Sequence, residues 1–348
     1  MWNVIKRAQR RVYPARIRYS KLGVTGLFSI VALVLIVAAG ALLDLRGDRA
    51  EVREFGEYAR ANQQDPVAAI VAAARSRRFV FLADIHSSVE AKRLAAQAIR
   101  AVAEGPGLDA VVLEVGHDLQ PQIDRYFDTT PENASILLSN PRTLREPGAA
   151  SREYLEIYHV IWQLNEKLGA DRRIQVIAAD LDLWPPEPAV SPSHRARQFS
   201  ERDAAMVKNL DRESIGMGAR ARVLVFMTGL HVLRSGRGQL QTGGSTPVNA
   251  LWFAARIAQR HPGDVHSFVL DAAGSGSPDE LVPYTGTRLG EETKALLPAG
   301  RYALRINEAF DFLTRPIREN PVPGMSFDLF PRAYRLKDVA DEYIHLGN

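Results

Sequence analysis

The 348-residue chain contains no cysteine, which excludes disulfide staples, thiolate metal sites and a cysteine nucleophile and leaves stability to the packed core. It also lacks a Gly-x-Ser-x-Gly elbow, a His-Glu-x-x-His helix and a Walker loop. A serine triad of the elbow type, a thermolysin-like zinc site and a nucleoside triphosphatase are therefore not supported. No internal repeat is visible, and only one hydrophobic run is long. The formal charge of +4 invites a nucleic-acid reading. However, Lys6, Arg7, Arg10, Arg11, Arg16, Arg18 and Lys21 all precede that run, with no acid among them, and acids are in slight excess beyond it. The positive charge belongs to topology, and no nucleic-acid partner is expected.

The long run is Leu22–Leu43, LGVTGLFSIVALVLIVAAGALL, without one charged residue. That is the length a helix needs to cross about 30 Å of hydrocarbon. With the basic cluster before it and mixed charge after it, the positive-inside rule puts residues 1–21 in the cytoplasm and the rest of the chain outside, periplasmic in a bacterium. The alternative is a signal peptide cleaved near Ala39-Gly40-Ala41, but a signal peptide's apolar region is about 7–15 residues, shorter than this one. An uncleaved signal anchor fits better, with the lipid bilayer as partner. Residues 44–65 are polar and charged and read as a stalk, with a short helix around Ala50–Ala61.

From Pro66 onward, short apolar runs alternate with amphipathic stretches. Strands are expected at Arg78–Asp84, Ala110–Glu114, Ile174–Ala179, Arg222–Met227 and Val265–Leu270. Helices are expected at Pro66–Arg75, Ser88–Glu104, Tyr154–Leu168, Glu201–Leu210 and Val248–Gln259. Continuous apolar strands joined by helical crossovers define an α/β domain over residues 66–348, with a mostly parallel sheet flanked by helices. An irregular insertion at about 119–151 is longer than a connection requires and suits a lid or binding loop. The Gly/Ser-rich pieces Ser235–Ser245 and Gly274–Ser277 read as mobile loops.

Four of the expected strands finish in ionisable residues: Asp84 and His86, Glu114, Asp180 and Asp182, and His231. In open parallel sheets ligands bind outside the carboxyl ends of the strands, so these side chains would converge on one rim. Each also has a plainer role. Asp84 suits a cap for the helix near Ser88. Asp203 follows Ser200 at the spacing of a capping box. Arg202 is either a surface neighbour of Asp203 or a carboxylate clamp. A carboxylate at Glu114, directly on an apolar run, must find a partner if buried. Of the other histidines, His159, His194, His261, His266 and His345 read as structural or exposed, while His117 lies just past Glu114 at the same rim.

The ordered segments FLADIHSSVEAKRLAAQAI, VVLEVG, VIAADLD, RDAAMVKNL and VFMTGLHV, with the closing VADEYIHLG, resemble the superfamily that includes erythromycin esterases, haem-binding ChaN-like lipoproteins and TraB/Tiki proteases. Ala83, Asp84 and His86 stand where its first motif commonly has Gly-Glu-x-His. Glu114, Arg202 with Asp203, and His231 match its later acid, its Arg-Asp pair and its later histidine. The resemblance implies a hydrolase of ester or peptide bonds acting on a small molecule or peptide. In that reading His86 is general base or metal ligand, Glu114 its carboxylate partner, His231 a second ligand or electrostatic stabiliser, and Arg202 an anion binder or a brace for Glu114. A divalent metal held by His86, Glu114, His231 and Asp84 would be zinc or manganese by its ligand set. The ChaN-like branch implies instead haem on His86, His231 or His117. A non-catalytic interaction domain is the third alternative.

Overall fold

In the computed structural model, the described residues are 53–347 apart from 142, 144–150, 170–171, 186–190, 236, 243–247, 272–297, 308–317, 323–324 and 329–335. The expected span Leu22–Leu43 and the basic tail lie outside them. Among the described residues no helix is long and apolar enough to cross a membrane.

In chain order the elements are α1 (53–62), α2 (Pro66–Ser76), β1 (Phe79–Asp84), α3 (Val89–Glu104), β2 (Ala110–Gly116), α4 (Gln120–Phe127), α5 (Ser135–Leu138), α6 (Arg152–Leu168), β3 (Gln175–Asp180) and α7 (Pro192–Glu213). Then follow β4 (Val223–Thr228), β5 (Arg237–Thr242), β6 (Val248–Leu251), α8 (Phe253–Arg260), β7 (Val265–Asp271), β8 (Tyr302–Arg305), β9 (Arg318–Val322), β10 (Met325–Asp328), α9 (Leu336–Val339) and β11 (Glu342–His345).

A seven-stranded sheet runs in the order β3-β2-β4-β1-β7-β11-β8. All its pairings are parallel except β11 with β8. Its central strands are apolar on both faces, as burial beneath helices on each side demands. α3 packs with α2 and α6, and α7 packs with α8. Right-handed crossovers leaving β1 and β2 in one direction along the sheet, and β3 and β4 in the other, place these two groups on opposite faces. The connections after β1 and β4, which are neighbours, thus diverge and leave a crevice at the carboxyl rim. Hydroxyl and carboxylate caps start the helices that feed it: Asp65 for α2, Ser88 for α3, Ser151 for α6 and Ser191 for α7.

Several expectations are corrected. The stalk reading of 44–65 gives way in its second half, because α1 buries Phe55 and Ala59 completely in the core and Gln64 bridges to Ala303 of β8. α7 begins at Pro192 rather than Glu201, so Ser200 is mid-helix and caps nothing. The helix expected over Val248–Gln259 is split into β6 and α8. Part of the stretch read as a Gly/Ser-rich loop is β5, which joins β6, β10 and β9 in a separate antiparallel sheet of order β6-β5-β10-β9. Gly274–Ser277 lies outside the described residues.

Candidate functional site

The rim residues form two adjoining clusters. The first is built on β1 and α3. Asp84, at the last position of β1, is 2% exposed and bonds His86 Nδ1 through Oδ2 at 3.0 Å. Its other oxygen accepts from Lys92 Nζ at 2.7 Å. Lys92 lies on the buried stripe of α3 beside Ala91, Leu94 and Ala95, and also donates to the carbonyls of Ile85 at 2.7 Å and His86 at 2.8 Å. The helix cap at Ser88, which accepts from Ala91 N at 3.2 Å, closes the short turn. His86 keeps a fifth of its side chain in solvent (20%).

The second cluster is closed. β2 carries one extra residue relative to β3, since Leu113 pairs with Ala178 but Gly116 with Asp180, and such a bulge re-aims side chains next to it. Glu114 lies in this irregularity. Its Oε2 accepts from Thr228 N at 2.7 Å and Thr228 Oγ1 at 2.6 Å, and its Oε1 from Arg202 Nη2 at 2.6 Å. Arg202, from the middle of α7, also donates through Nε to Asp180 Oδ1 at 3.0 Å and through Nη2 to Asp180 Oδ2. The rings of Trp184 and Phe199 cover the guanidinium at 4.1 and 5.6 Å. One residue further along α7, Asp203 accepts from His231 Nδ1 at 2.8 Å and from Phe253 N at 2.5 Å. His231 Nε2 stands 3.5 Å from Glu114 Oε1.

Burial opposes charge throughout this cluster, and the pairing wins. For Glu114, desolvation is outweighed by the His231 and Arg202 cations, which hold its carboxyl well below the usual carboxylate range. For His231, desolvation is outweighed by Asp203 and Glu114, which push it up to about 10. At neutral pH His231 is therefore an imidazolium and Glu114 a carboxylate. Asp180, Arg202, Asp203 and His231 are all at most 4% exposed, so both cations are neutralised by acids inside the protein.

This geometry decides between the roles open for several residues. Arg202 braces Glu114 and Asp180 and is not placed to bind an external anion. The carboxylate partner of His86 is Asp84 rather than Glu114. Asp203 is a partner of His231 and not a helix cap. Asp182 is exposed and outside both clusters. His117 is buried, with Nδ1 on the Ala178 carbonyl at 2.9 Å and Nε2 at 3.4 Å from Glu213. Both ring nitrogens are thus engaged within the protein, so it does not suit a haem axial ligand.

A divalent metal does not fit the donors either. Among the described residues no three His, Asp or Glu converge on a point that would hold one. Glu114 is taken up by Arg202 and Thr228, and Nδ1 of His86 and of His231 are each taken up by an aspartate. Sequence reasoning missed Lys92 and Thr228. The signal for Lys92 was a lysine at an apolar position of an amphipathic helix, and Thr228 had none, since a threonine that ends a strand is ordinary and its N–H and hydroxyl meet Glu114 only through the pairing of β4 with β2.

No protein-family model matches the chain and no curated protein matches it. Solved structures do. A protein of Bacillus cereus aligns over 85% of this chain and 97% of its own at 12% identity, with a TM-score of 0.59. A succinoglycan biosynthesis protein aligns over 86% and 96% at 11% identity, with a TM-score of 0.58. An erythromycin esterase in its open conformation aligns over 80% and 92% at 12% identity, with a TM-score of 0.48. The chain shares its fold with the first two across nearly their whole length. At these identities the likeness is one of fold alone.

Proposed function

We propose that the domain is a hydrolase of ester or peptide bonds in which His86 is the general base. The observation that carries this reading is the Asp84–His86 pair, 3.0 Å apart, with a part-exposed imidazole beside a buried cluster of fixed charge. A carboxylate accepting from Nδ1–H holds the neutral ring in the tautomer whose Nε2 accepts a proton. In the reaction His86 takes a proton from water as the oxygen attacks the carbonyl carbon, and returns it to the leaving oxygen or nitrogen. No step requires a metal.

The test is a panel of activated esters and short peptides given to the wild type and to His86→Asn. Hydrolysis by the wild type that falls about a hundredfold or more in the variant supports the reading. A wild type inert across the panel, or a variant as active as the wild type, overturns it.

The domain is further read as held outside the cytoplasm by the uncharged Leu22–Leu43 run, with the basic residues before it on the inner side. A phosphatase reporter that works only outside the cytoplasm, fused after Asn348, should be active. An inactive fusion would reverse the orientation, and release of the protein by a carbonate wash would replace the anchor with a cleaved signal.

A further inference from the structure

Lys92 is 1% exposed, and burying an ammonium costs several kcal/mol unless its protons are matched. Here they are matched fully: three donors meet Asp84 Oδ1, the Ile85 carbonyl and the His86 carbonyl at 2.7, 2.7 and 2.8 Å. Its acceptors are two successive carbonyls of the turn between β1 and α3 and the carboxylate that holds the His86 ring. The backbone of His86 and the partner of its Nδ1 are thus tied to one atom. The tripod also demands a tetrahedral donor. A guanidinium keeps the charge but is planar and presents its N–H groups as a fork, so it would not meet three acceptors arranged around a point.

We propose that Lys92 is the positioning residue for His86: its ammonium fixes the place of the imidazole at the mouth of the crevice and shares Asp84 between anchoring the turn and orienting the ring. The proposal rests on the reading of His86 as the reacting base, and its test has an arm that needs no substrate. The competing account is that Lys92 is a structural ion pair that merely keeps the domain folded.

The full-length protein, its Lys92→Met variant and its Lys92→Arg variant are treated with diethyl pyrocarbonate, and carbethoxylation is followed histidine by histidine in the mass spectrum. His159, at 36% side-chain exposure and in a separate cluster with Glu132, is the internal standard, and buried His117 and His231 report on the fold. Both variants should change the His86 rate by about fivefold or more against His159, with His117 and His231 still protected. In parallel, turnover of 4-nitrophenyl acetate should lose about tenfold or more in kcat with KM within about threefold, because misplacement of a base affects the reacting geometry more than binding. A His86 rate within about twofold of wild type in Lys92→Met overturns the proposal. So does exposure of His117 and His231 together with His86, which makes Lys92 a support of the whole fold, or full rescue by Lys92→Arg, which makes charge alone sufficient. If the wild type is inert across the ester and peptide panel, the hydrolase reading fails on its own, and the carbethoxylation rates still decide the role of Lys92.

Discussion

Two histidines stand at the same rim, each with an aspartate on Nδ1, at 3.0 Å for His86 and 2.8 Å for His231. What differs is what else touches the aspartate and the ring. Asp84 is shared with a cation, Lys92, and its histidine keeps solvent contact. Asp203 is shared with a neutral amide, Phe253 N, and its histidine, itself buried, meets a second carboxylate, Glu114. A carboxylate already offset by a lysine orients an imidazole. Two carboxylates in a buried pocket hold one as a cation at neutral pH. The same pair of residue types thus serves exchange of a proton in one cluster and storage of charge in the other.

The sharpest way to break this contrast is to remove the charge at its centre. Arg202→Leu leaves Asp180 buried without a counter-ion and Glu114 with His231 alone, and should cost about 3–5 kcal/mol in chemical denaturation. A loss under about 1 kcal/mol would mean the cluster is less dry than its burial implies. Next come the two histidines themselves. His231→Asn should cost about 2–4 kcal/mol by leaving Asp203 buried without a cation and Glu114 with Arg202 alone. His86→Asn should cost about 1 kcal/mol, its main effect being on turnover. Equal stability losses in the two variants would erase the distinction.

pH sharpens the same comparison. His231 rises from 6.5 in the unfolded chain to about 10 in the fold, so its contribution is complete below 6.5 and is lost as pH rises through about 10. Glu114 is lowered from 4.5, so its contribution is complete above 4.5 and declines as pH falls below it. Denaturation midpoints should therefore be highest between these two limits, and His231→Asn should flatten the alkaline limb. An alkaline limb of unchanged slope in that variant would assign it to another group. The smallest expected effect is that of Trp184→Leu. Loss of the ring over Arg202 should cost about 0.5–1 kcal/mol, with ester turnover changed far less than by His86→Asn.

The β1, β2, β3, β4 and β7 strands were legible because a strand buried on both faces must be apolar without interruption, and five such runs separated by amphipathic helices admit few arrangements. α7 was misjudged at its start because Ser200 and Asp203 imitate a capping box, whereas the true cap, Ser191, precedes a polar first turn. β6 was taken for helix because VNALW is short enough to satisfy either period. In the site, the ends of strands announced Asp84, His86, Glu114, Asp180 and His231, since acids and imidazoles there break an apolar run. Their pairing was not legible, because it depends on strand order, and β4 lying between β2 and β1 is what puts Thr228 on Glu114. Lys92 stayed hidden because an isolated lysine on a helix ordinarily reaches water, and only the turn beneath it shows what it meets instead.

Gln64, just before the Asp65 cap of α2, exchanges both backbone bonds with Ala303, at 3.1 and 2.9 Å. β8 forms one margin of the seven-stranded sheet, and its outward amide and carbonyl at Ala303 are taken by the segment that leads into the domain. A neighbouring copy that tried to add a strand to this margin would have to displace that clasp. The entry segment thus acts as a guard against strand addition, and loosening it, for example with Gln64→Pro, should show first as self-association rather than as lost activity.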